Sequence, residues 1–180
     1  MAYESLLLDT NVLLDFLLQR ESFGPDALRL FEAEAAGRVT LYASSLAFSH
    51  IYYTLRKTNS AAERVASLSE LAGLVEIIPI GRAIIEAALT LGFADFEDGL
   101  QYCAARAELT IEAIITRDLK GFAAGADAPR SAGAIRITPH SRVRTSLSIH
   151  CIVLRVRWSS PGILLLKNVT ATSRPLLQRT

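Results

Sequence analysis

Short apolar runs alternate with longer amphipathic stretches through most of the chain. The short runs have the length of strands, whereas the stretches between them repeat apolar positions every three or four residues, as helices do. Strands are predicted at residues 6–8, 39–43, 75–80, 113–118 and 134–139. Helices are predicted at residues 12–18, 27–36, 46–57, 60–74, 84–91 and from the acidic stretch 95–98 through 107. This alternation predicts a three-layer α/β/α sandwich around a mainly parallel central sheet.

The first apolar run, residues 6–8, ends directly on Asp9, and Thr10 and Asn11 follow. A continuous apolar run indicates a strand that is buried on both faces, as in a parallel sheet covered by helices. Ligands of such sheets bind just beyond the carboxyl ends of the strands, which is where Asp9 stands. Asp9 is therefore a candidate site residue, although an Asp here can equally cap the helix that begins near Val12.

Further acids recur at the same predicted edge of the sheet. Asp118 ends the fourth predicted strand, and Asp95 and Asp98 begin the helix before it. Because they are three residues apart, Asp95 and Asp98 share one face of that helix. Gathered carboxylates raise each other's pKa unless a cation neutralises them, and oxygen ligands without paired His or Cys suit Mg²⁺ or Mn²⁺. Taken singly, Asp95 and Asp98 could instead stabilise the helix start, and Asp118 could be a turn residue.

Three segments carry these acids in a recognisable order. They are Leu8-Asp9-Thr10-Asn11-Val12, Asp95-Phe96-Glu97-Asp98-Gly99-Leu100-Gln101-Tyr102, and Ile115-Thr116-Arg117-Asp118 with Lys120-Gly121-Phe122. Over about residues 5–140 the chain resembles the PIN-domain family, which includes the toxin ribonucleases of VapBC toxin–antitoxin modules. The resemblance implies a compact α/β/α nuclease with a Mg²⁺- or Mn²⁺-dependent site that cuts single-stranded RNA. It also implies a homodimer that is silenced by an antitoxin, whose peptide lies across the active site.

The resemblance implies roles for individual residues as well. Three residues fall on the family's acidic positions and would hold the metal, namely Asp9, Asp98 and Asp118. Asp95 matches an accessory acid seen in similar sequences. Asn11 matches the polar residue that follows the first acid. Thr116 falls where the family often has a Thr or Ser beside the last acid.

Two further residues are candidates for substrate contacts. Many members of the family carry a Glu in the helix after the second strand, where this chain has His50. His50 could bind a metal, contact a phosphate or carry a proton near neutral pH, or it could simply pack against Tyr53 or Thr54. Arg117 could contact the RNA backbone, which needs positive charge, although a solvated surface position explains a single Arg equally well.

The distribution of charge divides the chain into two parts. Its 180 residues, 51% apolar and 21% charged, suit a globular protein, and the net charge is only +1. Residues 1–127 hold all 18 acids against 10 basic residues, a net of −8, whereas residues 128–180 hold 9 basic residues and no acid, a net of +9. This contrast suggests two pieces, and from about residue 141 Ser, Thr, Arg and β-branched residues crowd together. We therefore predict a nuclease-like domain, residues 1–140, and a basic tail, residues 141–180. The tail could fold onto the domain, bind RNA or be a non-native extension.

Cysteine content and the N-terminus bear on location, and the site allows several functions. Cys103 and Cys151 lack zinc-type spacing, which favours a reduced cytoplasmic setting, and neither a signal peptide nor a membrane span is predicted.

The leading prediction is a metal-dependent endoribonuclease of the toxin type. One alternative is a nucleic-acid-binding module with weak or absent catalysis. Ranked last is a phosphoaspartyl enzyme with Asp9 as nucleophile, because Asn11 stands where a second Asp is expected.

Overall fold

The computed structural model describes residues 4–118 and 120–122, together with the backbone of residues 152–155. The strands of this part, β1 to β5, are Glu4–Leu8, Val39–Ser44, Glu76–Ile78, Ala113–Thr116 and Ile152–Arg155. Its helices, α1 to α6, are Thr10–Leu18, Gly24–Ala35, Ser45–Leu55, Ala61–Ala72, Arg82–Leu91 and Phe96–Ala107. Two helices therefore connect each strand to the next, from β1 through β4.

The strands form one sheet in the order β3-β2-β1-β4-β5, with β1 at its centre. β1 pairs in parallel with β2 and with β4, and β2 pairs in parallel with β3. The helix pairs supply the long crossovers that parallel strands require. The carboxyl ends of these four strands consequently lie at one edge of the sheet, and the predicted α/β architecture with a mainly parallel sheet is confirmed.

Successive leucines of β1 hold the two helical layers to the sheet. Leu6 and Leu8 pack into an apolar cluster with side chains of α1, α2, α3 and α4. Leu7 packs into a second cluster with side chains of α5 and α6. Because side chains alternate across a strand, one buried run contributes to both cores, and the result is the three-layer arrangement expected from the sequence.

Local signals explain where several elements begin and end. Ser60 caps α4 by accepting the backbone N–H of Glu63, whose carboxylate accepts the backbone N–H of Ser60 and has a lowered pKa for that reason. The predicted strand 75–80 is shorter in the structure and stops before Pro79, which cannot donate to a ladder. The fourth strand ends at Thr116, two residues earlier than predicted, because the chain turns there.

The fifth strand differs from the one expected. The strand predicted at residues 134–139 lies outside the described residues. Instead, β5 comes from the basic tail and pairs antiparallel with β4, with Ile152 opposite Thr116. A part of the tail thus joins the sheet beside β4, while the boundary at residue 140 stays a prediction. No helix in the described part of the chain is long and apolar enough to cross a membrane.

Candidate active site

The ends of β1 and β4 and the first turns of α1 and α6 surround a cavity of about 330 Å³. The acids that line this cavity are Asp9, Asp95, Glu97, Asp98 and Asp118. The other lining residues are Thr10, Asn11, Leu14, His50, Tyr53 and Thr54. The structure therefore brings together all four acids singled out from the sequence, along with two of the accessory candidates, Asn11 and His50.

Asp9 is buried at the end of β1, with 2% of its surface exposed, and is held by neutral donors. Its Oδ1 accepts a hydrogen bond from Gln101 Nε2 at 3.1 Å, and its Oδ2 accepts one from Thr116 Oγ1 at 2.7 Å. The backbone N–H of Asn11 also donates to Oδ1, at 3.5 Å, as in an N-cap. Asp9 thus caps α1 and lines the cavity at the same time, so the two interpretations of this residue are compatible.

Thr116 links two of the acids. Its hydroxyl donates to Asp9 Oδ2 and accepts the backbone N–H of Asp118 at 2.9 Å. A hydroxyl can donate and accept at once, and this one is fully buried at the end of β4. The position of Asp9 is thereby coupled to the turn that carries Asp118.

Asp118 organises the turn that follows β4. Its Oδ1 accepts the backbone N–H groups of Lys120 at 2.9 Å and of Gly121 at 3.0 Å. The turn brings Gly121 against Asp98, so closely that a Cβ at Gly121 would overlap Asp98 Oδ2 and lie 3.1 Å from Asp118 Oδ2. Because Gly121 has no side chain, the carboxylates of Asp98 and Asp118 can both lie next to it.

Asp98 lies in the first turn of α6 and is 9% exposed. Burial and nearby negative charge raise its pKa to about 7. Burial is the largest cause, followed by repulsion from Asp9, Asp95, Asp118 and Glu97. Near neutral pH this carboxyl is close to its titration midpoint, and a cation in the cavity would relieve the repulsion.

The donors of the cavity suit a hard divalent cation. The acids offer oxygen ligands, and His50 is the single lining residue that could add a nitrogen ligand. Within the described residues, no three Asp, Glu, His or Cys side chains are already arranged around one point as a metal site. Carboxylates without a counter-charge repel each other, so we expect them to close on an ion only when one binds. The residues present therefore fit Mg²⁺ or Mn²⁺ in their chemistry.

Two residues that contact the site, Glu97 and Gln101, were not singled out from the sequence. Glu97 accepts a hydrogen bond from Thr10 Oγ1 at 2.9 Å and lies 2.6 Å from His50 Nδ1. Gln101, which donates to the first acid, stands three residues after Asp98 and so shares its helix face, a signal that could have found it. Glu97 precedes Asp98 directly, so its side chain leaves α6 about 100° around the helix axis from that of Asp98. Its partners, Thr10 and His50, become known only from the positions of α1 and α3.

Arg117 is not among the residues that line the cavity. Its Nε lies 2.9 Å from Asp15 Oδ2, and its guanidinium lies 4.5 Å from the centre of the Phe23 ring. Asp15, a fully buried residue of α1, also pairs with Arg20 Nη1 at 3.1 Å. The structure brings Arg117 to this buried acid rather than to the acids of the cavity.

An exposed aromatic ring stands beside the acids. Tyr53 lines the cavity and is 59% exposed, and the guanidinium of Arg56 lies 3.7 Å from its ring centre. The neighbouring Tyr52 points elsewhere, with Arg64 at 4.4 Å from its ring centre. A single aromatic ring next to a positive charge is therefore available at the cavity for a planar group.

The sequence has relatives among known nucleases. The profile of the PIN domain family matches residues 5–120. Ribonuclease VapC1 of Aquifex aeolicus (strain VF5) is 30% identical over 110 residues, which make up 58% of this chain and 76% of that protein. This chain belongs to the PIN-domain family. PIN-domain nucleases are generally dependent on divalent metal ions.

Solved structures of VapC toxins share the fold. VapC20 of Mycobacterium tuberculosis, a toxin that cleaves the sarcin-ricin loop, is 16% identical with a TM-score of 0.54, over 67% of this chain and 95% of that one. VapBC2 of Rickettsia felis, bound to promoter DNA, is 19% identical with a TM-score of 0.51, over 66% and 91%. A toxin–antitoxin complex of Klebsiella pneumoniae is 24% identical with a TM-score of 0.50, over 65% and 89%. At such identities the likeness concerns the fold alone.

Proposed function

We propose that this chain is a divalent-metal-dependent endoribonuclease that hydrolyses phosphodiester bonds of single-stranded RNA, as the toxin of a toxin–antitoxin pair. The observation that carries the proposal is Asp98, a carboxyl that is 9% exposed and has a pKa of about 7. Such a group is costly to keep ionised among other acids unless a cation joins it. RNA as the substrate is supported by the relationship to Ribonuclease VapC1.

In this proposal three acids would hold the ion, namely Asp9, Asp98 and Asp118. When bound, Mg²⁺ or Mn²⁺ would supply an activated water and neutralise charge that develops on the phosphate. Thr116 holds Asp9 and Asp118 in a fixed relation, because its hydroxyl bonds to both residues. Asp95 accepts the backbone N–H of Glu97 at 2.9 Å and adds negative charge beside the ion as an accessory acid.

The remaining candidates divide into substrate contacts and supports of the fold. Asn11 and His50 line the cavity and would contact the RNA, and the exposed ring of Tyr53 would stack on a base. Arg117 is committed to Asp15, and we therefore assign it a structural role in place of the RNA contact expected from the sequence.

We also propose an antitoxin as the protein partner, a homodimeric state and a cytoplasmic location. VapBC2 of Rickettsia felis and the complex of Klebsiella pneumoniae are both toxin–antitoxin assemblies, which supports the first of these. An Arg of a partner peptide would be attracted to the acids of the cavity through charge-assisted hydrogen bonds. Dimerisation follows from the family resemblance, whereas the location follows from the cysteine content of the sequence.

A second candidate function is an RNA-binding module that does not cut. It is favoured by one observation, namely that no three ligands are already assembled around a point within the described residues. His50, where many members of the family have a Glu, points in the same direction. Such a module would hold RNA equally well with and without metal and would never cleave it.

Cleavage of a labelled single-stranded RNA tests the proposal. The full chain is assayed with Mg²⁺, with Mn²⁺ and with EDTA, beside the variant Asp9→Asn and the control Glu86→Gln, an exposed residue of α5. We expect cleavage that requires metal and falls by about a thousand-fold in Asp9→Asn, because one ligand of the ion is lost. Full activity of Asp9→Asn would contradict the site, and RNA binding without cleavage in either metal would favour the binding module.

A further inference from the structure

Two polar contacts cross the cavity from α1 to α3 by way of α6. Thr10 Oγ1 donates to Glu97 Oε1 at 2.9 Å, and His50 Nδ1 lies 2.6 Å from Glu97 Oε2. The three residues belong to three different helices, so the contacts depend on how these helices pack. Both carboxylate oxygens of Glu97 are therefore in contact with side chains of the two neighbouring helices.

The contact with Glu97 sets the orientation of the His50 ring. Because a carboxylate only accepts hydrogen bonds, Nδ1 of His50 is the donor in this contact. The second ring nitrogen, Nε2, makes no recorded hydrogen bond or ion pair within the part of the chain that the structure describes. The ring lines the cavity and its side chain is 45% exposed. Glu97 therefore leaves Nε2 of an oriented ring open to a molecule that enters the cavity.

The negative charge of the cavity means that RNA binding needs a donor such as Nε2 of His50. In the described part of the chain, the lining contains five acids and neither Lys nor Arg. RNA brings a further negative charge with every phosphate, and a single divalent ion cannot offset all of these charges. Among the lining residues that the structure describes, His50 is the single side chain that can carry a positive charge, and with that charge both of its nitrogens donate. Among the described side chains that line the cavity, this ring is therefore the one cationic donor that a phosphate can meet.

We infer that Glu97 is a positioning residue that orients His50 so that its Nε2 binds an RNA phosphate beside the phosphodiester that is cut. Glu97 acts through His50 and does not itself touch the RNA, while Thr10 holds the second oxygen of Glu97 from α1. The inference deepens the proposed ribonuclease function and rests on it. The phosphate contact in the cavity is thus made by His50 of α3. The carboxylates of α6 cannot make this contact, because they only accept hydrogen bonds and repel a phosphate.

Two substitutions at His50 distinguish the contributions of its two ring nitrogens. The side-chain nitrogen of Asn reaches about as far as Nδ1, so His50→Asn can keep the contact with Glu97 but loses the distal donor. The side-chain nitrogen of Gln reaches about as far as Nε2, so His50→Gln keeps the distal donor. The affinity of the full chain for a labelled single-stranded RNA is measured in EDTA by fluorescence anisotropy, and KM and kcat are measured with Mg²⁺.

We expect His50→Asn to weaken RNA binding in EDTA and to raise KM, each by about ten-fold, with kcat changed by less than about three-fold. His50→Gln keeps the distal donor but loses the charge and the contact with Glu97, so we expect a smaller loss than in His50→Asn, about three-fold in RNA affinity and in KM. Glu97→Gln should weaken RNA binding to a smaller degree, and combining it with His50→Asn should add little, because both act through one contact. The control Glu86→Gln should change nothing.

Unchanged RNA affinity of His50→Asn would overturn the inference. Equal losses of affinity in both His50 variants, together with a lower melting temperature, would assign the ring to fold stability and would also overturn it. If the unmodified chain cleaves no RNA in either metal while His50→Asn still binds RNA less tightly than His50→Gln, the proposed nuclease fails and the phosphate contact is supported. Absence of RNA binding by the unmodified chain would overturn the contact as well.

Discussion

Two buried carboxyl groups of this protein lie in opposite electrostatic surroundings. Asp15 is fully buried between two cations, with Arg117 Nε at 2.9 Å and Arg20 Nη1 at 3.1 Å. Asp98 is almost as well buried, but the charged groups that shift its pKa are all acids. Within the described residues, the first carboxyl has a counter-charge beside it and the second has none. The comparison teaches that burial alone does not mark a functional acid, whereas burial without a partner does.

Arg117 decides much of this difference. It follows β4 directly and precedes Asp118, so from the sequence it could have turned toward the acids. Because its guanidinium pairs with Asp15 and lies on the Phe23 ring, its charge is used to stabilise the fold. Among the described residues, no Lys or Arg lines the cavity to offset its negative charge.

Breaking the Asp15 cluster should have the largest effect on stability. We expect Asp15→Asn to lower the free energy of unfolding by about 3 kcal/mol, because Arg117 and Arg20 lose the carboxylate that compensates them. Denaturant unfolding measures the change, and Glu86→Gln, which breaks the exposed pair with Arg82, should cost less than about 1 kcal/mol. A loss of similar size in both variants would show that the buried cluster is not special. Cleavage per folded molecule should survive in Asp15→Asn.

Adding a side chain at Gly121 should have the next largest effect, which we expect on metal binding at the cavity. We expect Gly121→Ala to weaken Mn²⁺ binding by about ten-fold, because the added methyl would collide with Asp98 and push the turn away from it. Gly81→Ala is the matched control, since nothing lies within 4 Å of a Cβ at that position. Calorimetric titration with Mn²⁺ measures both, and equal affinities would show that the turn need not approach Asp98.

Removing the charge of Asp98 should have a smaller effect, of opposite sign to that of Asp15→Asn. At pH 7 without metal we expect Asp98→Asn to raise the free energy of unfolding by about 1 kcal/mol, because a carboxyl whose pKa is raised to about 7 is costly to ionise in the fold. The same variant should lose metal binding and cleavage. A destabilised Asp98→Asn would contradict the comparison with Asp15.

The pH dependence of stability gives a second measure of the Asp98 prediction. Between its ordinary value of 3.8 and about 7, Asp98 keeps its proton in the folded chain and loses it in the unfolded chain. The unfolded state then binds fewer protons, so stability without metal falls as pH rises through this window. Asp98→Asn should lose this decline, which denaturant unfolding at pH 5 and pH 7.5 would measure. Parallel pH curves for the two proteins would argue against the raised pKa.

Much of the fold was predictable because its signals are local. The leucines of residues 6–8 indicated a doubly buried strand, and both cores of the structure meet there. The helix predicted at residues 60–74 is α4, which begins at Ala61 directly after its cap Ser60. Strand ends were harder to predict, since β4 stops where Asp118 bonds its own turn rather than where the apolar run stops.

The sequence by itself determined the alternation of strands and helices and the placement of Asp9, Asp98 and Asp118 at one edge, because periodicity and chain direction are local properties. Only the tertiary structure decided the partner of each charged group. It paired Arg117 with Asp15, set Glu97 between Thr10 and His50, and placed β5 beside β4. These contacts join residues that are distant along the chain. They depend on how helices and strands pack, which no local pattern encodes.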